Sequence, residues 1–378
     1  MNLHRHLQAI RMEARQYRGD CYPDFVTARR TDPARLDGVV VFMLHAVQPG
    51  RFERQVRFLR DNGYRTIDCD TLLRFLRGEA DLEGPSVMLT FDDGERSLYE
   101  VAFPILQRYG LRAVNFIVPG MIHASPAERP AIGKAWCTWE EVRAMHHSGV
   151  IDFQSHTLWH ERMFTGETPL DFWREDLFTD GLLVDRPRVC TNGQDTLLAE
   201  WGAPLYPMAP RMMDALKFID RDDIRRACIE HVARQGGAAF FHKDGWRAEL
   251  ESVWRTAKGA QPAGGFETAE EQRVAILDSL IRSRSMLEGQ LQREVRHLAY
   301  PWAMGGTLAR RLSEEAGYRT NFHGPITGTP LNRPGTDPYR IARIKDDFIE
   351  RLPGRGRRAL WSILAEKAVR RLRHRDIY

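Results

Sequence analysis

Thr90-Phe91-Asp92-Asp93-Gly94 and, further along, His156-Thr157-Leu158-Trp159-His160 bring together residue types that can hold a metal. They offer one carboxylate and two imidazoles as ligands, with a second carboxylate beside the first. Zinc and related cations accept carboxylate oxygen and imidazole nitrogen, and a catalytic site keeps one coordination position open for water. Bound water has its pKa lowered to about 7, and the spare carboxylate can take its proton as attack proceeds. The inventory is that of a hydrolytic metal site. Each string alone has a plainer reading, since Asp-Asp-Gly serves turns well and a His-x-x-x-His pair falls on many surfaces by chance. Their succession at two strand ends carries the inference.

The surrounding residues supply those strand ends. Residues 86–90 form a short apolar run after Gly84-Pro85 and read as a buried strand. Asp92 and Asp93 follow it, Gly94 marks a turn, and Leu98, Val101, Ala102, Ile105 and Leu106 recur at helical spacing. Pro104 inside that pattern kinks or restarts the helix. Residues 150–154 read as a second strand, with Ser155 and His156 at its end. A helical turn through 156–160 would set both imidazoles on one face. Across 38–160, short apolar runs alternate with amphipathic helices, the pattern of a parallel α/β sheet or barrel. Such folds gather catalytic groups at the C-terminal ends of their strands.

Here the chain resembles the polysaccharide deacetylases, metal-dependent carbohydrate esterases that remove N-acetyl groups from sugars. Residues 90–94 resemble the family's first motif and 156–160 its second. The resemblance implies that Asp92 is the general base and that Asp93, His156 and His160 hold one divalent metal. Zinc is expected there, with cobalt, nickel, iron or manganese as alternatives. Residues 39–47, ending in His45-Ala46-Val47, resemble the opening strand of a permuted branch that includes the biofilm poly-N-acetylglucosamine deacetylases. In that branch the catalytic His stands near the N-terminus, which makes His45 the expected general acid, its ring across the metal from Asp92. From pattern alone, a His ending an apolar strand is as readily a core histidine. Tyr300-Pro301-Trp302 resembles the third motif, whose backbone amides face the reacting carbonyl oxygen. That motif usually opens on an Arg that orients the base, whereas this chain has Leu298-Ala299. Arg343, in a stretch resembling the last strand, is the substitute charge. Tyr300, Trp302 and Arg343 are accordingly taken as substrate and oxyanion residues. The implied fold is a distorted (β/α) barrel over 38–348 with a large insertion and a C-terminal helix.

Residues 161–268 break the rhythm of the barrel. They carry Phe172, Trp173, Trp201, Tyr206, Phe240, Phe241, Trp246 and Trp254, and a helix at 222–235. Starting right after His160, this segment reads either as an added packing layer or as a lid over the metal. Helices are expected at 270–291 and 308–316, with a strand at 296–300. The extension 1–37 is polar and is assigned no chemistry. The end of the chain, 349–378, is expected to be a basic helix. From Arg351 onward it holds nine Lys/Arg against Glu366 and Asp376, with Leu360, Ile363, Leu364, Ala368 and Leu372 at helical spacing. Such a helix either packs on the barrel or makes peripheral contact with an anionic membrane.

Bulk properties narrow the classes. Of 378 residues, 43% are hydrophobic and 28% charged, ordinary values for a globular chain. A net charge of +4 makes no case for nucleic-acid binding. Five scattered cysteines form no Cys-x-x-Cys pair, so neither a zinc ribbon nor a disulfide framework is indicated. Reduced thiols and the lack of an apolar core in residues 1–22 lead to an expected cytoplasmic place, peripheral at the inner membrane face. The expected substrate is an N-acetylated sugar, in a polysaccharide, a glycolipid precursor or an activated sugar. The rival readings are hydrolysis of a small non-sugar C–N bond and an inactive barrel kept as a binding module. Retention of Asp92, Asp93, His156 and His160 argues against the second rival.

Overall fold

The computed structural model describes residues 20–29, 36–128, 135–174, 187–191 and 194–372. Most of the N-terminal extension and the last six residues of the basic tail lie outside these. The core is an eight-stranded, all-parallel sheet. Its strands are β1 (Val40–Leu44), β2 (Arg65–Thr66), β3 (Ser86–Asp93), β4 (Ala113–Ile117), β5 (Ile151–Ser155), β6 (His297–Ala299), β7 (Thr320–Phe322) and β8 (Ile344–Lys345). Their order is β7-β6-β5-β4-β3-β1-β8, with β2 paired to the start of β3. The stretch leading into β8 bonds both ends of that order. Ile341 bridges Phe322 of β7, and Ile344 pairs with Phe42 of β1. The sheet therefore curls back on itself as a distorted barrel.

Alternation along β3 sorts its residues onto two faces. Val87, Leu89 and Phe91 join the core under the helices, while Met88 lies in the second, inner cluster with Val41, Val114, Phe116 and Phe322. Thr90 and Asp92 share the parity of Met88 and so face inward. The strand is longer than its apolar run predicts, because both aspartates remain paired to β4 through Phe116 and Ile117.

The longer helices are α1 (Pro49–Asp61), α2 (Cys69–Leu76), α3 (Phe103–Tyr109), α4 (Trp139–His147), α5 (Asp222–Arg234), α6 (Trp246–Lys258), α7 (Ala269–Leu291), α8 (Thr307–Glu315) and α9 (Leu360–Leu372), of which α5 and α6 belong to the segment after His160. Pro104 does restart its helix. A π-turn over Leu98–Ala102 gives way to α3, with the proline in its first turn, where its missing N–H costs nothing. Helix α7 starts at a capping box of Thr268 and Glu271, then buries Ile276, Leu280, Leu287 and Leu291.

The segment after His160 builds a hydrophobic cluster of its own. All eight aromatics noted in it belong to this cluster, buried or packed against it. They fill a core rather than face a sugar. Among the described residues it holds four small antiparallel ladders: Arg162–Phe164 with Met208–Pro210, Asp171–Phe172 with Pro204–Leu205, Arg188–Thr191 with Gln194–Leu197, and Phe218–Asp220 with Gly264–Phe266.

Two expectations about the chain ends are corrected. The extension is not merely polar, since Cys21, Tyr22, Phe25 and Val26 are buried in the main core. Helix α9 packs with its charges inward. Lys367 is 2% exposed, and Arg51, Lys367 and Arg370 all reach Asp347, at 2.8, 3.2 and 2.5 Å. Arg351 and Arg357 bond backbone carbonyls of 25–29. Of the predicted apolar stripe, Ile363 is buried, but Leu364 points outward with Trp361 and Val369. The physical reason is buried Asp347, which Lys367 and Arg370 of α9 both reach from the inward face. Among the described residues, no helix is long and apolar enough to cross a membrane.

Burial alone would raise the Asp347 carboxyl, but Lys367, Arg51 and Arg370 outweigh it and hold it far below the usual range. Asp347→Ala should lower the unfolding free energy in urea by about 3–5 kcal/mol, since it strands buried cations. Trp361→Gln should change it by less than about 0.5 kcal/mol. A depressed carboxyl contributes stability that is present above the unfolded pKa of about 4 and fades as pH falls toward the folded value. Wild type should therefore lose more stability on acidification below about pH 4 than Asp347→Asn does.

Candidate active site

Every predicted site residue but Arg343 sits at or beyond the C-terminal end of a strand, and Arg343 reaches the site with its side chain. Asp92 and Asp93 end β3, His156 follows β5, His45 follows β1, Tyr300 follows β6, and Arg343 precedes β8. Strict alternation would send the Asp93 carboxylate away from Asp92. Its left-handed backbone, at φ 77°, breaks the alternation. Gly94 then turns at φ 93°, where any Cβ would meet Ile117 at 2.7 Å.

The two imidazoles meet by a different route from the one the sequence suggests. Residues 156–160 are not helical; Thr157 and His160 adopt φ of 64° and 53°. This irregular turn brings the rings to 5.1 Å between centroids. The loop is held at several points. The His156 N–H donates to Ile117 O, and the Gly120 N–H donates to Leu158 O. A Cβ at Gly120 would lie 2.5 Å from that carbonyl, so the close approach requires glycine. His156 Nδ1 lies 2.8 Å from Ala299 O, which accepts its proton and leaves Nε2 as the donor atom toward the site.

Asp93 Oδ1 is 3.6 Å from His156 Nε2 and 3.7 Å from His160 Nε2. One donor atom from each of Asp93, His156 and His160 lies within 4.8 Å of the others. Ligands at the usual lengths around one tetrahedral cation stand about 3.4 Å apart. All three residues are buried, and burial pushes the His160 imidazole down to about 4, with Asp93 pulling only partly the other way. A neutral imidazole is the ligating form. The donor set therefore fits a divalent cation.

Beside it stands the second carboxylate. Arg343 grips Asp92 with both branches of its guanidinium, Nη1 to Oδ1 at 2.6 Å and Nη2 to Oδ2 at 2.9 Å. Its Nε donates to His323 O, and its side chain is wholly buried. Burial would raise the Asp92 carboxyl; Arg343, then His156 and His45, outweigh burial and hold it below its ordinary value. Arg343 thus meets Asp92, the place expected of the substitute charge, and its placement among substrate and oxyanion residues is corrected. Tyr300 is corrected likewise: it is fully buried, and its hydroxyl accepts from Asn321 Nδ2 at 2.6 Å.

The backbone of the third motif singles out one amide. The Tyr300 N–H donates to Phe322 O, the Ala303 N–H to Tyr300 O, and Pro301 has none. That leaves Trp302, at φ 61° and with its ring 5.2 Å from His160. His45 is partly exposed, with Nε2 3.9 Å from Asp92 Oδ2, so it lies next to the base rather than across from it. Its loop is fixed by Ser97, whose Oγ accepts from the Val47 N–H. Two contributors escaped the sequence reading. Ser97 gives no signal there, whereas Arg162, stacked 4.9 Å from the Trp302 ring centroid, follows His160 by only two residues.

Comparison with known proteins agrees with this geometry. Residues 79–177 match the family described as Polysaccharide deacetylase. The chain is 30% identical over 118 residues to the poly-beta-1,6-N-acetyl-D-glucosamine N-deacetylase of Escherichia coli, covering 30% of this chain and 18% of that protein. It is 29% identical over 113 residues to the enzyme of that name from Staphylococcus aureus, covering 30% of this chain and 37% of the other. The chain thus spans well under half the length of these relatives. Among solved structures, IcaB from Ammonifex degensii aligns with a TM-score of 0.51 at 18% identity, over 85% of this chain and 98% of that one. The BpsB deacetylase domain from Bordetella bronchiseptica aligns at 0.51 and 16%, over 83% and 99%. A matching motif segment and a shared curled barrel lead to one statement: residues 79–177 of this chain match the polysaccharide deacetylase family, on a fold it shares with solved deacetylase structures.

Proposed function

We propose that this chain is a metal-dependent N-deacetylase that hydrolyses the N-acetyl group of a hexosamine in a polysaccharide or glycan precursor. The observation that carries this reading is a buried carboxylate–imidazole–imidazole set next to a second carboxylate with its own dedicated partner. The names of the matched relatives favour a poly-N-acetylglucosamine-like substrate. A divalent cation held by Asp93, His156 and His160, zinc first among the candidates, would supply a Lewis acid and a water of lowered pKa.

The chain's own groups do the rest. Asp92, kept ionised and oriented by Arg343, takes the proton of the attacking water. The Trp302 N–H donates to the oxygen on which charge develops, an interaction typically worth about 3 kcal/mol. His45 protonates the nitrogen as the C–N bond breaks, and acetate and the free amine leave. The partial exposure of His45, against the burial of Asp92, Asp93, His156 and His160, suits a residue that meets the leaving sugar.

Purified protein given N-acetylglucosamine oligomers should release acetate, stop on chelation and recover on addition of a divalent metal. Turnover of simple amides with none of the sugar would replace this reading with the small-substrate one. Asp92→Asn should lower the rate roughly 10²–10⁴-fold while elemental analysis finds metal content unchanged. His45→Ala should behave in the same direction. Asp93→Ala and His156→Ala should instead lose the metal itself. Arg343→Met should reduce turnover by about 10²-fold, because burial then favours the neutral, misoriented form of Asp92. Wild-type turnover in Arg343→Met would remove the guanidinium from the mechanism.

A further inference from the structure

The segment inserted after His160 touches the active site in a specific way. Its first strand, Arg162–Phe164, begins two residues beyond His160 and pairs antiparallel with Met208–Pro210. The chain then runs on as a strap between two motif loops. The Arg211 N–H donates to Glu161 O at 2.9 Å, tying the strap to the second motif. The Gly306 N–H donates to Met212 O at 2.8 Å, tying it to the third. Asp214 completes the link: its two carboxylate oxygens accept from the Thr307 N–H at 2.9 Å and the Leu308 N–H at 3.0 Å, at the start of α8. The fit is close, because a Cβ at Gly306 would overlap the Asp214 carboxylate.

Between these ties sit Trp302 and Ala303, both left-handed at φ 61° and 58°. The Trp302 ring packs on His160, and Arg162 packs on Trp302. The contacts close a circuit from His160 through Glu161 and Arg162, along the strap to Asp214, into the loop of Trp302 and back to His160. Arg211 holds the strap rigid through a buried two-pronged pair with Glu267, at 2.5 and 2.8 Å.

We propose that Asp214 is a positioning residue for the deacetylation reaction, holding the Trp302 amide and indole in register with His160 from outside the barrel. The inserted segment is then part of the machinery that shapes the site rather than an appended layer. This inference rests on the deacetylase reading for its kinetic consequence, but its structural consequence is measured separately.

The test compares Asp214→Ala with Asp214→Asn, which keeps an oxygen able to accept one of the two amide bonds. Hydrogen exchange read by mass spectrometry should show faster exchange over 301–308 in Asp214→Ala, with 86–93 unchanged. Acetate release from N-acetylglucosamine oligomers should fall about 10- to 100-fold in kcat, the scale expected when a reacting group is misplaced by about 1 Å. KM should stay within about threefold, metal content should be unchanged, and Asp214→Asn should recover most of kcat. Faster exchange throughout the chain, or a loss of kcat that Asp214→Asn does not restore, would reduce Asp214 to an ordinary helix cap. Unchanged exchange at 301–308 in Asp214→Ala would overturn the proposal outright. If wild type releases no acetate, the functional reading fails, while the exchange measurement still decides whether Asp214 holds the loop.

Discussion

Asp92 and Arg343 form the contact on which the rest of the site depends. A carboxylate with 2% of its side chain exposed would ordinarily take up a proton, because burial penalises the charged form. The guanidinium fork reverses that preference by meeting both oxygens in one plane. Arg343 can do so only because the stretch from Ile341 to Lys345 runs between β7 and β1. Closing the barrel and keeping Asp92 ionised are therefore one requirement. A chain that left this seam open would also leave two buried charges unpaired, a loss of several kcal/mol.

A second constraint is backbone strain. Asp93, Thr157, His160, Trp302 and Ala303 all have left-handed backbones without being glycine. Each such residue costs of order 1–3 kcal/mol and persists only where its surroundings over-determine it. Here the surroundings are visible: Ile117 O on the His156 amide, Leu158 O on Gly120, Ala299 O on the imidazole, and the strap from Arg211 to Asp214. The strain and the ligand geometry are two sides of one arrangement. Regular strands or helices would hold these side chains in place but would point them apart.

The inserted segment and the terminal helix follow the same logic of partners. In the insertion, apolar aromatics cluster among themselves, while buried Arg211 pairs with Glu267 and buried Arg225 with Asp220 and Asp222. In α9, the acidic residues that precede it decide which face turns inward. The result places Trp361 outside and Lys367 inside, against what hydrophobicity alone would choose. Charge complementarity overrides the apolar pattern because an unpaired buried Asp347 would cost more than an exposed Trp361.

Much of this was legible in the residues themselves. Short apolar runs followed by Asp92-Asp93 and by His156 pointed to buried strands with chemistry at their C-terminal ends, because run length and residue type are local properties. Donor types alone pointed to a hydrolytic metal site, and the fold gathers Asp93, His156 and His160 into a set that could hold an ion. The motif likeness separated Asp92 from Asp93, which composition could not. What the tertiary structure decided was every pairing across long separations. Arg343 lies 251 residues from Asp92 in the chain; the motif likeness offered it as a substitute charge, but only the fold shows that it grips Asp92 rather than substrate. The turn of 156–160 looked helical because spacing of four fits a helix, and only packing against Gly120 and Ile117 makes it irregular. The orientation of α9 was hidden for the same reason: a hydrophobic stripe is written in one segment, while the charges that outweigh it are written in another.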